Sequence, residues 1–169
     1  MTNSVRFFKE KNYSLSESIN PPIIITDNLR TPENLGQIIR LAGNIGCKKV
    51  LAINEDNVFR VSRIKRMAEV AGKVIDWEFC TKEEALEQIS TNYKIVALET
   101  ASTSENIFNA ELPQNIALVV GNESKGISDF WLNKADYLYH IPMTGKIKSL
   151  NVSHATSVFL FEWLRRNYV

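Results

Sequence analysis

Leu118-Val119-Val120-Gly121-Asn122-Glu123-Ser124-Lys125-Gly126-Ile127-Ser128 decides the fold class of this chain. An apolar, β-branched run enters a loop bounded by two glycines, and a helix is predicted just beyond, around Ser128–Lys134. A strand that is apolar without alternation is buried on both faces, which is the signature of a parallel sheet covered by helices. Working outward, the same alternation recurs. Ile23-Ile24-Ile25-Thr26 reads as a strand, and the turn Asp27–Pro32 leads to a helix over Glu33–Ile45 that Thr31 or Asp27 can cap. Gly46 ends that helix, and Lys48–Ile53 supplies a second strand. A basic helix is expected over 56–72, then a strand over Val74–Phe79. A helix from Thr81 to Ile89 follows, with Glu84 completing a capping box. Strands are expected at Lys94–Glu99, Ile116–Val120 and Tyr137–Ile141. The polar stretch Thr100–Gln114 holds no more than a turn of helix, and the chain closes with an apolar helix from about Val152 to Asn167. A short helix over 5–19 precedes Asn20-Pro21-Pro22, where two prolines force extended backbone. The fold class is therefore α/β, a mostly parallel sheet with helices on both faces.

The bulk numbers fit one domain. At 169 residues with 44% hydrophobic and 23% charged side chains, the chain can bury a real core. Residues 1–20 read as a short N-terminal extension and 21–169 as the domain. No apolar run approaches the ~18 residues of a membrane span, and the N-terminus has no apolar region or cleavage site of a secretory signal. A cytoplasmic protein with no membrane partner is expected. Cys47 and Cys80 read as free thiols, and no metal-ligand spacing occurs. Net charge is +1, from 20 basic and 19 acidic residues, so global charge does not argue for nucleic acid. Basic residues cluster at Arg60, Arg63, Lys65 and Arg66, at Lys146 and Lys148, and at Arg165 and Arg166. Solvated helix faces explain each cluster as well as phosphate contact does.

In parallel sheets ligands bind beyond the carboxyl ends of the strands, so the loops at 27–36, 99–106, 121–128 and 141–151 carry the candidate chemistry. In Asn34-Leu35-Gly36-Gln37-Ile38-Ile39-Arg40, Gly36 permits close backbone approach and Asn34 can both donate and accept near a helix start. Arg40 rides on a helix whose other face is apolar. The Gly121–Gly126 loop offers backbone N–H groups and the Glu123 carboxylate. It is neither a Walker loop nor a Gly-x-Gly-x-x-Gly turn, which excludes a dinucleotide dehydrogenase of the usual kind. The third segment, Ile141-Pro142-Met143-Thr144-Gly145-Lys146-Ile147-Lys148-Ser149-Leu150-Asn151-Val152-Ser153-His154-Ala155, concentrates Ser149, Asn151 and Ser153 at a helix start. Capping needs one of the three. A lone histidine on an apolar helix is more often packed or surface-exposed, so His154 is left out of the site.

Taken together these segments resemble the SpoU (TrmH-like) branch of the SPOUT superfamily of RNA methyltransferases. Asn34, Gly36 and Arg40 match its first motif, and Gly121, Glu123, Gly126, Ile127 and Ser128 its second. The run from Ile141 to Ser153 matches its third at every specified position, and Ala155 and Glu162 also fall where the family places them. The resemblance implies a deep C-terminal trefoil knot, a homodimer to which the apolar final helix contributes, and an S-adenosyl-L-methionine (SAM) cofactor. It places that cofactor against Leu98, Glu99, Thr100, Gly121, Asn122, Glu123, Ile141, Met143, Ser149, Leu150 and Asn151. It implies methyl transfer to a ribose 2′-hydroxyl, with Arg40, Asn34, Glu123, Ser149 and Asn151 as catalytic residues.

Arg40 holds its proton too tightly to be a base. It is read as stabilising charge on the 2′-oxygen and the adjacent phosphate, with Asn34 and Asn151 orienting ribose and Arg40. Glu123 would position Arg40 or a group on the cofactor side. The partner is RNA rather than DNA. The compact chain, without the N-terminal RNA-binding domain of many rRNA-modifying relatives, favours tRNA. The same chemistry on rRNA, or a catalytically silent RNA-binding module, are the alternatives. Two departures from the family stand out, Gln37 in place of a small residue and the loosely matching stretch 69–73.

Overall fold

The computed structural model of the chain describes Phe8, residues 13–55, Ser62, Ile64 and residues 75–168. The helix expected over 56–72, its basic cluster and the 69–73 stretch lie outside the described residues apart from Ser62 and Ile64. So does most of 5–12. The elements are β1 (Ile23–Asp27), α1 (Pro32–Ile45), β2 (Lys49–Ile53), β3 (Asp76–Cys80), α2 (Lys82–Glu87) and β4 (Lys94–Leu98). They continue with β5 (Glu105–Asn106), β6 (Ile116–Val120), α3 (Asp129–Leu132), β7 (Tyr137–His140) and α4 (Val152–Asn167). The strands form one seven-stranded sheet in the order β3-β2-β1-β6-β4-β7-β5. Every pairing is parallel.

Alternation along the buried strands divides the core between the two faces. Ile24, Val50, Ala52, Val96, Ile116, Leu118 and Val120 meet Leu35, Ile38 and Ile39 of α1 and Phe159, Leu160 and Trp163 of α4. Ile23, Ile25, Leu51, Ile53, Ile95, Ala97, Ala117 and Val119 face the other way, against Ala85 of α2 and Trp131 of α3. This is why the strands read as unbroken apolar runs: each side chain in turn has a helix to bury against. Truncating a fully buried tryptophan such as Trp163 to alanine would cost about 3–5 kcal/mol.

The expected caps are in place. The Thr31 hydroxyl accepts from Asn34 N, and Gly46 closes α1 at φ 76°. Thr81 and Glu84 form the reciprocal capping box of α2.

Several expectations need correction. Residues 13–19 are not helical: Leu15 bridges antiparallel to Tyr168, and the segment lies along the end of α4. The helices after Thr81 and Ser128 are shorter than expected, each ending as its chain turns toward the next strand. Strand β5 lies inside the stretch read as irregular. It has two polar residues and exists because Glu105 and Asn106 pair with Tyr139 and His140.

The order of strands sets up the site. β1 continues through α1 to β2 on one side, whereas its neighbour β6 continues through α3 to β7 on the other. The crevice where parallel connections diverge is the usual ligand position in such sheets. The end of β7 is gripped from both flanks, with Glu99 N donating to Tyr139 O at 2.9 Å and Ile107 N to His140 O at 3.1 Å.

Candidate active site

The loops beyond β4, β6 and β7 line a cavity of about 560 Å³. Leu98, Glu99, Thr100, Gly121, Asn122, Glu123, Ile141, Met143, Ser149, Leu150 and Asn151 all line it. The structure therefore brings together every residue that the sequence assigned to a cofactor. It adds His140, Lys148, Val152 and Ala155 to the walls.

Glu123 is the acceptor around which the polar side is built. Arg30 N donates to its Oε2 at 2.7 Å, Asn34 Nδ2 to its Oε1 at 2.5 Å, and the Thr31 hydroxyl to Oε1 at 3.4 Å. Burial by itself would raise the carboxyl pKa, but the donors from Arg30, Asn34 and Thr31 outweigh it and hold the group below the usual carboxylate range. The Asn34 side chain is buried, and its Oδ1 accepts from Asn151 Nδ2 at 3.0 Å. Asn151 in turn caps α4, its Oδ1 accepting from Ser153 N at 2.9 Å and lying 2.6 Å from Ser153 Oγ. Ser149 is exposed on the cavity wall and makes no hydrogen bond among the described residues.

Arg40 is not part of this cluster. It is exposed on α1 and has neither hydrogen bond nor ion pair among the described residues. Six residues of helix separate it from Asn34, a rise of about 9 Å. Asn34 and Asn151 thus hold each other and Glu123 within this chain, where the sequence reading had them also orienting Arg40. His154 is exposed and outside the cavity lining. Among the described residues, no cluster of histidine, cysteine or acidic side chains could hold a metal. Cys47 and Cys80 are free, as expected.

Two carboxylates have roles that sequence reasoning missed. Glu99 takes Thr100 N on Oε1 at 2.9 Å and Ile127 N on Oε2 at 3.0 Å, tying the ends of β4 and of the 121–127 loop together. Asp27 does not cap α1; its buried Oδ2 accepts from Ser128 N at 2.7 Å. An acidic residue at the carboxyl end of a buried strand was the available signal for both, because backbone N–H groups of neighbouring loops reach that position. The loop itself closes on glycines. A Cβ on Gly121 would lie 2.3 Å from Gly126 C, and Gly126 adopts φ 72° with Glu99 Oε2 against it.

The SpoU rRNA Methylase family profile matches residues 21–161. The chain is 31% identical over 154 residues to the 23S rRNA (guanosine-2′-O-)-methyltransferase RlmB of Haemophilus influenzae, covering 90% of this chain and 63% of that protein. It thus spans somewhat under two thirds of the length of that curated relative. Among solved structures, an AdoMet-bound rRNA methyltransferase from Sinorhizobium meliloti superposes with TM-score 0.78 at 25% identity, over 88% of this chain and 57% of that one. The TrmH/SpoU tRNA modifying enzyme of A. aeolicus gives TM-score 0.74 at 26% identity, over 87% and 75%. With the profile spanning the sheet and every loop of the cavity, the chain belongs to the SpoU rRNA methylase family.

Proposed function

We propose that this protein is a SAM-dependent RNA methyltransferase that modifies a ribose 2′-hydroxyl. The observation that carries this reading is the joining of Glu123 and Asn151, both on the wall of the 560 Å³ cavity, through the buried Asn34. The cavity suits a nucleoside-sized cofactor in volume and chemistry. Leu98, Ile141, Met143 and Leu150 supply apolar walls, and backbone around Thr100, Gly121 and Asn122 supplies polar partners. When bound there, SAM supplies an electrophilic methyl group on a sulfonium.

The chain's own residues would orient the ribose and answer for charge. A hydroxyl that attacks carbon loses its proton, and negative charge grows on its oxygen. Ser149 and the Asn151 amide place donors beside such an oxygen, and preorganised donors of this kind lower the barrier directly. Arg40, exposed and always charged, is suited to the adjacent phosphate. Glu123 fixes Asn34 and, through it, Asn151.

The substrate proposed is rRNA. The tRNA preference drawn from compactness gives way because the curated relatives are named as 23S rRNA enzymes. The likeness to the A. aeolicus tRNA modifying enzyme supports tRNA as the second reading. A homodimer is also proposed, supported by Phe161, which is half exposed on α4. A trefoil knot is proposed on the course of residues 99–104: they cross from β4 to β5, which flank β7 on opposite sides, so the loop spans the end of β7. The free thiols and the RNA substrate fit a cytoplasmic location.

The test is to incubate purified protein with methyl-labelled SAM and, separately, rRNA and tRNA, and to map methylated riboses. Label in a ribose of rRNA is the expected result. Label in tRNA alone would transfer the proposal to the second reading. No label in either RNA would leave a silent RNA-binding module and refute the enzyme.

A further inference from the structure

Gln37 lies on the exposed side of α1, and the structure gives its side chain a partner that the sequence did not suggest. Gln37 Oε1 lies 2.5 Å from Ser153 Oγ, across 116 positions of sequence. The same hydroxyl lies 2.6 Å from Asn151 Oδ1. A serine hydroxyl has one proton, so two carbonyl oxygens cannot both accept from it. One of the two amides must be turned the other way.

The rest of the cluster decides which. An ionised carboxylate only accepts, so Asn34 must point Nδ2 at Glu123 and leave its Oδ1 facing Asn151. That oxygen requires a donor, which fixes Asn151 Nδ2 on it and turns Asn151 Oδ1 toward Ser153. Ser153 N donates to the same Asn151 oxygen at 2.9 Å, which confirms its sense. Gln37 is the amide left to turn, and its oxygen and nitrogen are nearly isosteric. With Nε2 on Ser153 Oγ, the serine proton is released to Asn151 and every contact has one donor and one acceptor. The low Glu123 pKa supports an ionised terminus for this series.

We propose that Gln37 is a positioning residue at the head of a one-way hydrogen-bond chain, Gln37 to Ser153 to Asn151 to Asn34 to Glu123, that holds the second Asn151 N–H ready for the substrate oxygen. The functional half of this proposal rests on the methyltransferase reading above. Both N–H bonds of Asn151 lie in its amide plane, so committing one to Asn34 sets the direction of the other, and Asn151 lines the cavity. Ser153 and Asn34 are buried, which keeps water from these two links, while Asn151 between them opens on the cavity and Gln37 is exposed at the end. Such coupling through successive polar groups is strongest where water is excluded.

Gln37→Glu keeps the shape but can only accept, so it competes with Asn151 for the single Ser153 proton. Gln37→Lys can only donate. At saturating SAM and RNA, Gln37→Glu should lower kcat about tenfold, less than the ~100-fold of removing an oxyanion donor outright. Gln37→Lys should stay within about twofold of wild type, and Gln37→Glu should have no further effect once Ser153→Ala is present. An increase in RNA KM at unchanged kcat would mean that Gln37 touches RNA directly and would overturn the proposal. So would a Gln37→Glu effect that survives Ser153→Ala. A readout independent of activity is the side-chain amide ¹H–¹⁵N spectrum. The Asn151 and Asn34 signals should move in Gln37→Glu and stay in place when Ser153→Ala is already present. Unmoved Asn151 and Asn34 signals refute the chain even if the protein is an active methyltransferase. Moved signals in a protein that methylates nothing keep the chain and refute the enzymatic reading.

Discussion

Replacing Gly121 with alanine adds one methyl group at the most crowded turn of the site. Its Cβ would sit 2.3 Å from Gly126 C, 2.4 Å from Ile127 N and 2.6 Å from Gly126 O. Non-bonded carbons rest at ~3.5–4.0 Å, so the facing backbone must retreat by about 1 Å. That backbone is held by Asn122 N to Gly126 O at 3.0 Å and by Gly126 N to Asn122 O at 2.9 Å. Ile127 N is also tied to the Glu99 carboxylate at 3.0 Å. Losing a neutral bond costs about 1 kcal/mol and a charged one about 1.5–3 kcal/mol, so surrendering one neutral bond and the charged one gives about 3 kcal/mol. Overpacking at a backbone that cannot yield is of the same size. For a chain of this length each kcal/mol moves Tm by about 2–4 °C, and a drop of about 6–12 °C is expected. Gly46→Ala and Gly145→Ala are the controls. Gly46 has open space but φ 76°, a backbone cost of about 1 kcal/mol. Gly145 has open space and no positive φ, and should be neutral. The assay is urea and thermal unfolding followed by tryptophan fluorescence, beside calorimetric titration of SAM, whose binding should be lost or weakened only in Gly121→Ala. If Gly121→Ala unfolds no earlier than Gly46→Ala, the close approach of the two loop ends is wrong.

Arg40→Lys keeps the charge but loses the planar fork; because Arg40 has no partner among the described residues, Tm should move by no more than about 2 °C while methyl transfer falls at least about tenfold. Near-normal turnover would contradict the phosphate-facing role. Glu162 is brought down to about 2 from the ordinary 4.5, chiefly by its hydrogen bonds from Arg165, with burial opposing and Arg166 adding to the effect. A depressed folded pKa gives stability that is complete above about 4.5 and lost as pH falls toward 2. The urea midpoint should therefore decline across that window, and less steeply in Glu162→Gln. Thr81→Ala removes half of the α2 capping box and should lower stability by about 1 kcal/mol, read as a smaller urea midpoint at unchanged slope.

What was legible in the sequence follows from how local each determinant is. Ile23–Ile25 and Ile116–Val120 announce buried parallel strands because their neighbours on both faces are helices, and an apolar run needs no partner to be recognised. Thr31, Gly46 and the Thr81–Glu84 pair act within four residues, so their caps could be read and were found. Strand β5 could not be read in this way. Glu105 and Asn106 carry no strand pattern and are extended only because β7 lies beside them. The site divides along the same line. Motif spacing picked out Asn34, Glu123, Ser149 and Asn151, which do meet at one cavity wall or its lining network. The carboxylates of Asp27 and Glu99 and the Gln37–Ser153 contact join residues 28 to 116 positions apart, and local pattern marks at most the acidic strand ends, not the partners they reach.

Glu123 shows why those long-range contacts matter for chemistry. As an isolated acidic residue at the end of a strand it could be read as a base for the ribose hydroxyl. A useful base, however, has a pKa near the working pH and a free lone pair directed at the proton it removes. Glu123 has the opposite character: its carboxyl lies below the ordinary range, and both oxygens are occupied by Arg30, Thr31 and Asn34. What it can do is enforce direction. A carboxylate that only accepts makes Asn34 donate to it, and this makes Asn151 donate to Asn34. The sense of every amide on the wall is then settled before any substrate arrives, so no reorganisation is needed as charge develops. In the proposed methyl transfer the contribution of Glu123 is thus to preorganise donors, its negative charge acting through two asparagines rather than on the substrate.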